Sequence, residues 1–273
     1  MDRLNGQCAK YAYLFMRYEE GVMNMRSIFL LIAIMLSSFV ALYAPSTAKE
    51  TMNWTLYAHN FPASFSYRGP VSHQVALTFD DGPDLRYTPQ ILTILRHEHV
   101  KATFFILGTQ AIRYPSVLRR IVQEGHSIGN HSFDHANLFR VSSPDIVREI
   151  LFTDRAIRRI TGIHTPWFRA PYGNINTTIL NQLHQMGYWA VNWSVDSTDW
   201  RSLSSMQVQH KILAHVHPGA IILQHCSAFP PENLSGTVAA LPAIIRALRH
   251  QGYDLVTIPE LLAPHRSTVR TVR

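Results

Sequence analysis

Five places in this sequence of 273 residues carry side chains suited to hydrolytic chemistry: Asp80-Asp81, the pair His131 and His135, Arg169, Asp196 with Asp199, and His225. His131 and His135 stand four apart, so one helical turn or a tight loop aims both imidazoles at one point, as a metal ion requires. Alone the pair says little, since 15 histidines in this chain make roughly one such spacing expected by chance. Asp80 and Asp81 add weight, because adjacent carboxylates repel each other unless a cation or an arginine lies close. Each feature also has a plain alternative: Asp80-Asp81-Gly82-Pro83 as a turn, Arg169 as a structural ion pair, His225 as a core histidine, Asp199-Trp200 as a helix cap beside a packed indole.

The elements that must position these residues follow from periodicity. From Gln74 onward, short β-branched or aromatic runs alternate with amphipathic stretches of helical length. This predicts strands at 75–79, 102–107, 127–131, 167–170, 189–194, 220–224 and 254–258. Helices are predicted at 89–97, 115–124, 144–160, 177–186, 205–216 and 238–250. Ser143-Pro144-Asp145 reads as cap, first-turn proline and first-turn acid, while Gly125, Gly162, Gly187 and Gly252 read as helix stops. About seven strands, each joined by a helix, describe a parallel α/β arrangement with right-handed crossovers, either an open doubly wound sheet or a closed barrel. In both, chemistry gathers at the C-terminal strand ends, and the five places fall there. Residues 49–72 show no clear period and read as a linker or surface strap.

Ile28 to Tyr43 form sixteen uncharged, mostly apolar residues, preceded by Arg26 and followed by the small-x-small triplet Ser46-Thr47-Ala48. Residues 1–48 therefore read as a leader with a secretory signal, its basic start cleaner from Met23 or Met25, or as an uncleaved anchor. Export is the expected localisation, with membrane contact only through such an anchor. The formal net charge of +7 falls to +3 over 49–263, where 18 basic residues face 15 acids, once the leader and the basic tail 264–273 are set aside. That is too mild, and too little clustered, for nucleic-acid binding. Cys8 lies in the leader and Cys226 is then a lone thiol, so neither a disulfide framework nor a cysteine zinc site is available.

Taken together and in order, Thr78-Phe-Asp80-Asp81-Gly-Pro83, His131-Ser-Phe-Asp-His135, Arg169-Ala-Pro-Tyr172, Asp196-Ser-Thr-Asp199-Trp200 and Leu223-Gln-His225 resemble the polysaccharide deacetylases with a NodB homology domain, carbohydrate esterase family 4. The resemblance covers about residues 73–263 and implies a distorted (β/α) barrel. It implies one divalent ion, zinc foremost with Co²⁺, Ni²⁺ or Mn²⁺ as alternatives, held by Asp81, His131 and His135. It implies Asp80 as general base held by Arg169, the Tyr172 backbone N–H as oxyanion donor, and His225 as general acid tuned by Asp199. Tyr172, Trp200 and Leu223 are expected to line the substrate groove. One departure is that Cys226-Ser227 follows His225 where many relatives carry an acidic residue, which bears on the hydrogen bonding around that histidine.

The expectation is a monomeric hydrolase that removes N-acetyl groups from amino sugars of a polymer, with peptidoglycan first and chitin-like oligomers or exopolysaccharide next. A wall-glycan-binding module with weak or no turnover is the rival from another class. A metal phosphoesterase would want a second metal, for which the sequence shows no second His/Asp cluster.

Overall fold

The computed structural model describes residues 53–269, the last six by their backbone alone. The leader, Cys8 and the end of the basic tail lie outside the described residues. Among the described residues nine short parallel strands form one sheet: β1 (Phe65–Ser66), β2 (Gln74–Gly82), β3 (Thr103–Ile106), β4 (Ser127–Asn130), β5 (Trp167–Phe168), β6 (Trp189–Val191), β7 (Val195–Asp196), β8 (Ile221–His225) and β9 (Asp254–Leu255). Their order is β1-β6-β5-β4-β3-β2-β8-β7, with β9 beside the start of β2. Helices follow at α1 (Trp54–Asn60), α2 (Thr88–His97), α3 (Gly108–Arg113), α4 (Pro115–Gln123), α5 (Ser143–Thr161), α6 (Thr177–Gln185), α7 (Ser205–Leu213), α8 (Ser235–His250) and α9 (Ile258–Val269). The sheet curls into the distorted (β/α) barrel that the sequence implied.

Strand alternation makes the curl two-sided. On β2, Leu77 and Phe79 point to the outer layer, where they pack with Ile91, Leu92 and Leu95 of α2 and with Ile244 and Leu248 of α8. Ala76, one residue away, joins Phe105, Trp167, Trp189, Val191 and Ile221 in a second cluster that α9 plugs with Ile258, Leu261 and Leu262. Fully burying one such aliphatic side chain is worth about 1.5–3 kcal/mol, so both faces of the strands hold the curl.

The structure departs from the sequence reading at several places, among them the six-residue helix α3, which has no counterpart in the predicted elements. Residues 49–72 were expected without regular structure, yet they contain α1 and the edge strand β1, which pairs with Ala190 and Val191. Helix α1 is only seven residues long and buries one of them, Tyr57, so it has too little face to leave a period; its visible signal is the cap, Asn53 Oδ1 accepting from Leu56 N–H at 3.0 Å. The predicted strand 189–194 is two strands. Asn192 N–H donates to Ser66, then Ser194 N–H donates to Ile221, so this segment changes partners and crosses the seam between the two ends of the sheet. The predicted strand 254–258 stops at Leu255, because Glu260 Oε2 accepts from both Thr257 N–H and Thr257 Oγ1–H and starts α9 instead.

Candidate active site

The C-terminal strand ends open on a groove of about 760 Å³. Asp80, Asp81, His131, His135, Tyr172, Trp200, Leu223 and His225 all line it. Arg169 and Asp199 stand behind its wall, 0% and 1% exposed, and reach it through Asp80 and His225.

Asp81 Oδ1 lies 3.3 Å from His131 Nε2 and 3.4 Å from His135 Nε2. His131 Nδ1 is 2.8 Å from the Arg169 carbonyl, which can only accept, so Nδ1 carries a proton and Nε2, facing Asp81, is the nitrogen left to serve as a ligand. Asp81 Oδ1 is buried and has no hydrogen-bond donor. Two imidazole nitrogens and a carboxylate oxygen thus converge on one point, an arrangement that a cation, whether a proton or a metal ion, resolves. A tetrahedral ion about 2.0–2.2 Å from each ligand separates its ligand atoms by about 3.3–3.6 Å, matching these two separations. The residues therefore fit a divalent metal, and two nitrogens with one oxygen suit a borderline ion such as zinc.

The charges agree. Burial would raise the Asp81 pKa, but His131, His225 and His135 outweigh it and hold the carboxyl at about 2. Burial, with the nearby His131, pushes the His135 imidazolium down to about 4, so this ring is neutral at ordinary pH, as a ligand must be. Burial also works against charge on His131, yet Asp80 and Asp81 reverse it and raise its pKa; two carboxylates pull positive charge to this spot.

The loops that present these groups bend through backbone conformations that side chains disfavour. Asp81 (φ 70°), Ser132 (φ 71°), His135 (φ 67°) and Tyr172 (φ 60°) are all left-handed. Asn130 supports one of them: its Oδ1 accepts from Ser132 N–H, while its Nδ2–H donates to the Ile150 carbonyl.

Beside the triad, Arg169 Nη1–H donates to Asp80 Oδ1 and to Thr78 Oγ1, both at 2.8 Å. Its Nε–H and Nη2–H donate to the carbonyls of Val191 and Asn192, and its guanidinium lies 4.1 Å from the centre of the Phe105 ring. Asp80 Oδ2 is left 3.8 Å from His131 Nε2, on the side of the metal ligands. Across the groove, His225 Nδ1–H donates to Asp199 Oδ1 at 2.7 Å, and Asp199 Oδ2 accepts from His225 N–H and Thr237 Oγ1–H. Burial would strip charge from His225, but Asp199, followed by Asp81 and Asp80, holds its pKa at about 10.

The polysaccharide deacetylase family model matches residues 68–191. A peptidoglycan-N-acetylglucosamine deacetylase of Bacillus cereus is 38% identical over 215 residues, which is 78% of this chain and 78% of that protein. This chain belongs to the polysaccharide deacetylase family. As a polysaccharide deacetylase it is a hydrolase of carbon–nitrogen bonds, and further relatives agree. A chitooligosaccharide deacetylase of Bradyrhizobium sp. is 37% identical over 199 residues, covering 70% of this chain and 91% of that one. A solved structure of a peptidoglycan N-acetylglucosamine deacetylase, in complex with 4-naphthalen-1-yl-N-oxidanyl-benzamide, superimposes with a TM-score of 0.72 at 37% identity over 75% of this chain and 95% of that one.

The deacetylase groove also contains residues that sequence reasoning missed. Phe229, 43% exposed, lies 6.4 Å ring to ring from His135 and faces the groove with Tyr172 and Trp200. Its signal was an aromatic residue just before Pro230-Pro231, in a loop that follows the chemistry-bearing His225. Trp193 lines the groove where the 189–196 segment crosses the seam, a place invisible while that segment reads as one strand. Cys226 is buried in the outer core, and its Sγ–H donates to the Asp80 carbonyl at 3.3 Å.

Proposed function

We propose that this protein removes N-acetyl groups from the amino sugars of a wall polysaccharide, peptidoglycan first, by metal-dependent hydrolysis on the outer side of the cell membrane. The observation that carries this reading is one groove holding three convergent metal-ligand atoms beside Asp80–Arg169 and opposite His225–Asp199. Export rests on the leader-like residues 26–48.

A divalent ion held by Asp81, His131 and His135 supplies, when bound, a lowered pKa for water and a polarised acyl oxygen. Asp80 takes the proton of the attacking water on Oδ2, the oxygen that Arg169 leaves free. The loop after β5 offers a donor for the developing oxyanion: Gly173 N–H and Asn174 N–H are spent on Ala170 and Pro171, whereas the Tyr172 N–H is not. His225 donates a proton from Nε2 to the sugar nitrogen as the C–N bond breaks, because an unprotonated amine leaves poorly. Acetate and the free amine are the products. Tyr172, Trp200 and Phe229, all more than two-fifths exposed around the triad, give flat faces for sugar rings.

The decisive test is acetate release from a panel of N-acetylated glycans, with and without chelator. Chelator-sensitive release restored by zinc is the expected result; full activity in metal-free protein, or glycan binding without any release, would sink the proposal.

The His225–Asp199 pair predicts a pH signature. A donor must be protonated, so turnover falls as pH rises through the His225 pKa, which lies at about 10. Asp199→Asn removes the main group that keeps the buried ring charged, and should move the alkaline limb down toward or below the imidazole reference of about 6.5. Metal content should not change. An unmoved limb in kcat–pH profiles would mean that His225 is not the acid.

A further inference from the structure

Helix α1 precedes the residues matched by the family model, yet it touches the groove wall. The ring centre of Trp54 is 5.0 Å from that of Trp193, edge to face at 77°. Trp193 lines the groove where the chain crosses the barrel seam, and its ring lies 5.7 Å from the Arg169 guanidinium. Both indoles close on Gly173: a Cβ there would meet Trp193 at 2.8 Å and Trp54 at 3.0 Å, and the residue itself sits at φ 66°. Asn192 Nδ2–H ties the Gly173 carbonyl to the same crossing segment. Gly173 follows Tyr172 directly, and its N–H donates to the Ala170 carbonyl at 3.0 Å, so the residue the indoles hold also closes the short turn that carries the Tyr172 N–H.

We propose that Trp54 is a positioning residue for deacetylation: it presses Trp193 and Gly173 together and so fixes the aim of the Tyr172 N–H at the acyl oxygen. This rests on the oxyanion role given to Tyr172 above. Misplacing a catalytic donor by about 1 Å is enough to cost roughly 100-fold in rate. Filling the space with a side chain that lacks an aromatic ring loosens the wedge.

The test uses the full chain as Trp54→Ala, Trp54→Leu and Trp54→Phe, with Leu56→Ala as control, since Leu56 is on the same helix and 50% exposed. Acetate release from an N-acetylglucosamine oligomer is followed well below each variant's unfolding midpoint, with kcat and KM separated and bound metal measured per chain. Trp54→Ala and Trp54→Leu should lose roughly 10- to 100-fold in kcat with KM and metal content near parent values, Trp54→Phe should recover most of it, and Leu56→Ala should match the parent. If Trp54→Ala does not fold, Trp54→Leu, which keeps apolar bulk, decides by the same criterion. A lowered midpoint with kcat within about twofold of the parent, or a rise in KM alone, would reduce Trp54 to a structural or sugar-stacking residue and overturn the inference. A parent enzyme without chelator-sensitive release overturns the functional proposal itself, and this inference with it.

Discussion

Asp80→Asn is expected to keep its metal and lose turnover by roughly 10²- to 10⁴-fold, the usual weight of a general base. The geometry separates Asp80 from its neighbour. Asp81 Oδ1 is the atom that meets both histidines, whereas Asp80 spends Oδ1 on Arg169 and presents Oδ2 3.8 Å from His131. An amide at position 80 can still accept from Arg169 but cannot take a proton from water. Asp81→Asn should instead weaken metal binding, because the neutral oxygen loses the charge that draws a divalent ion to two neutral imidazoles. Metal analysis beside kcat distinguishes the two: equal metal loss in both variants would mean that the adjacent carboxylates do not divide the work in this way.

Arg169→Met should cost about 3–5 kcal/mol of stability, since it leaves Asp80 as a buried charge without its partner. Arg169 is completely buried and Asp80 only 2% exposed, so water cannot take over the lost hydrogen bonds. Two backbone carbonyls, those of Val191 and Asn192, would lose donors in the same step. For a domain of this size such a loss lowers Tm on the order of 10 °C. The double variant Asp80→Asn/Arg169→Met removes the stranded charge and should regain part of that loss. Thermal unfolding of the two variants decides: a single variant within about 1 kcal/mol of the parent would show that the pair is dispensable to the fold.

Where the sequence was legible, a long repeating pattern carried the information. Helix α5 runs nineteen residues, Ser142 Oγ accepts from Asp145 N–H at its start, and Gly162 ends it at φ 76°; both boundaries were readable within one residue. Short elements leave no such pattern. Helix α1 has two turns, and β6 and β7 have three and two residues, so tertiary partners rather than periodicity define them. The site divides similarly. Residue types and their order placed Asp80, Asp81, His131, His135 and His225 at strand ends, because chemistry restricts which side chains can serve. Which oxygen of Asp80 faces Arg169, and that Trp193 and Phe229 wall the groove, depend on rotamers and loop paths that no local spacing encodes.

The left-handed backbone at Asp81, Ser132, His135 and Tyr172 has an evolutionary consequence. Each such residue costs on the order of 1–3 kcal/mol, and the rest of the fold holds it in place. Glycine would relieve that strain at every one of the four positions, while erasing a ligand or a groove side chain at three of them. At those three positions turnover needs the very side chain that glycine would remove. In a lineage where the reaction has become superfluous, drift toward glycine at these sites would be favoured by stability alone, so a descendant carrying it there marks an enzyme that has lapsed.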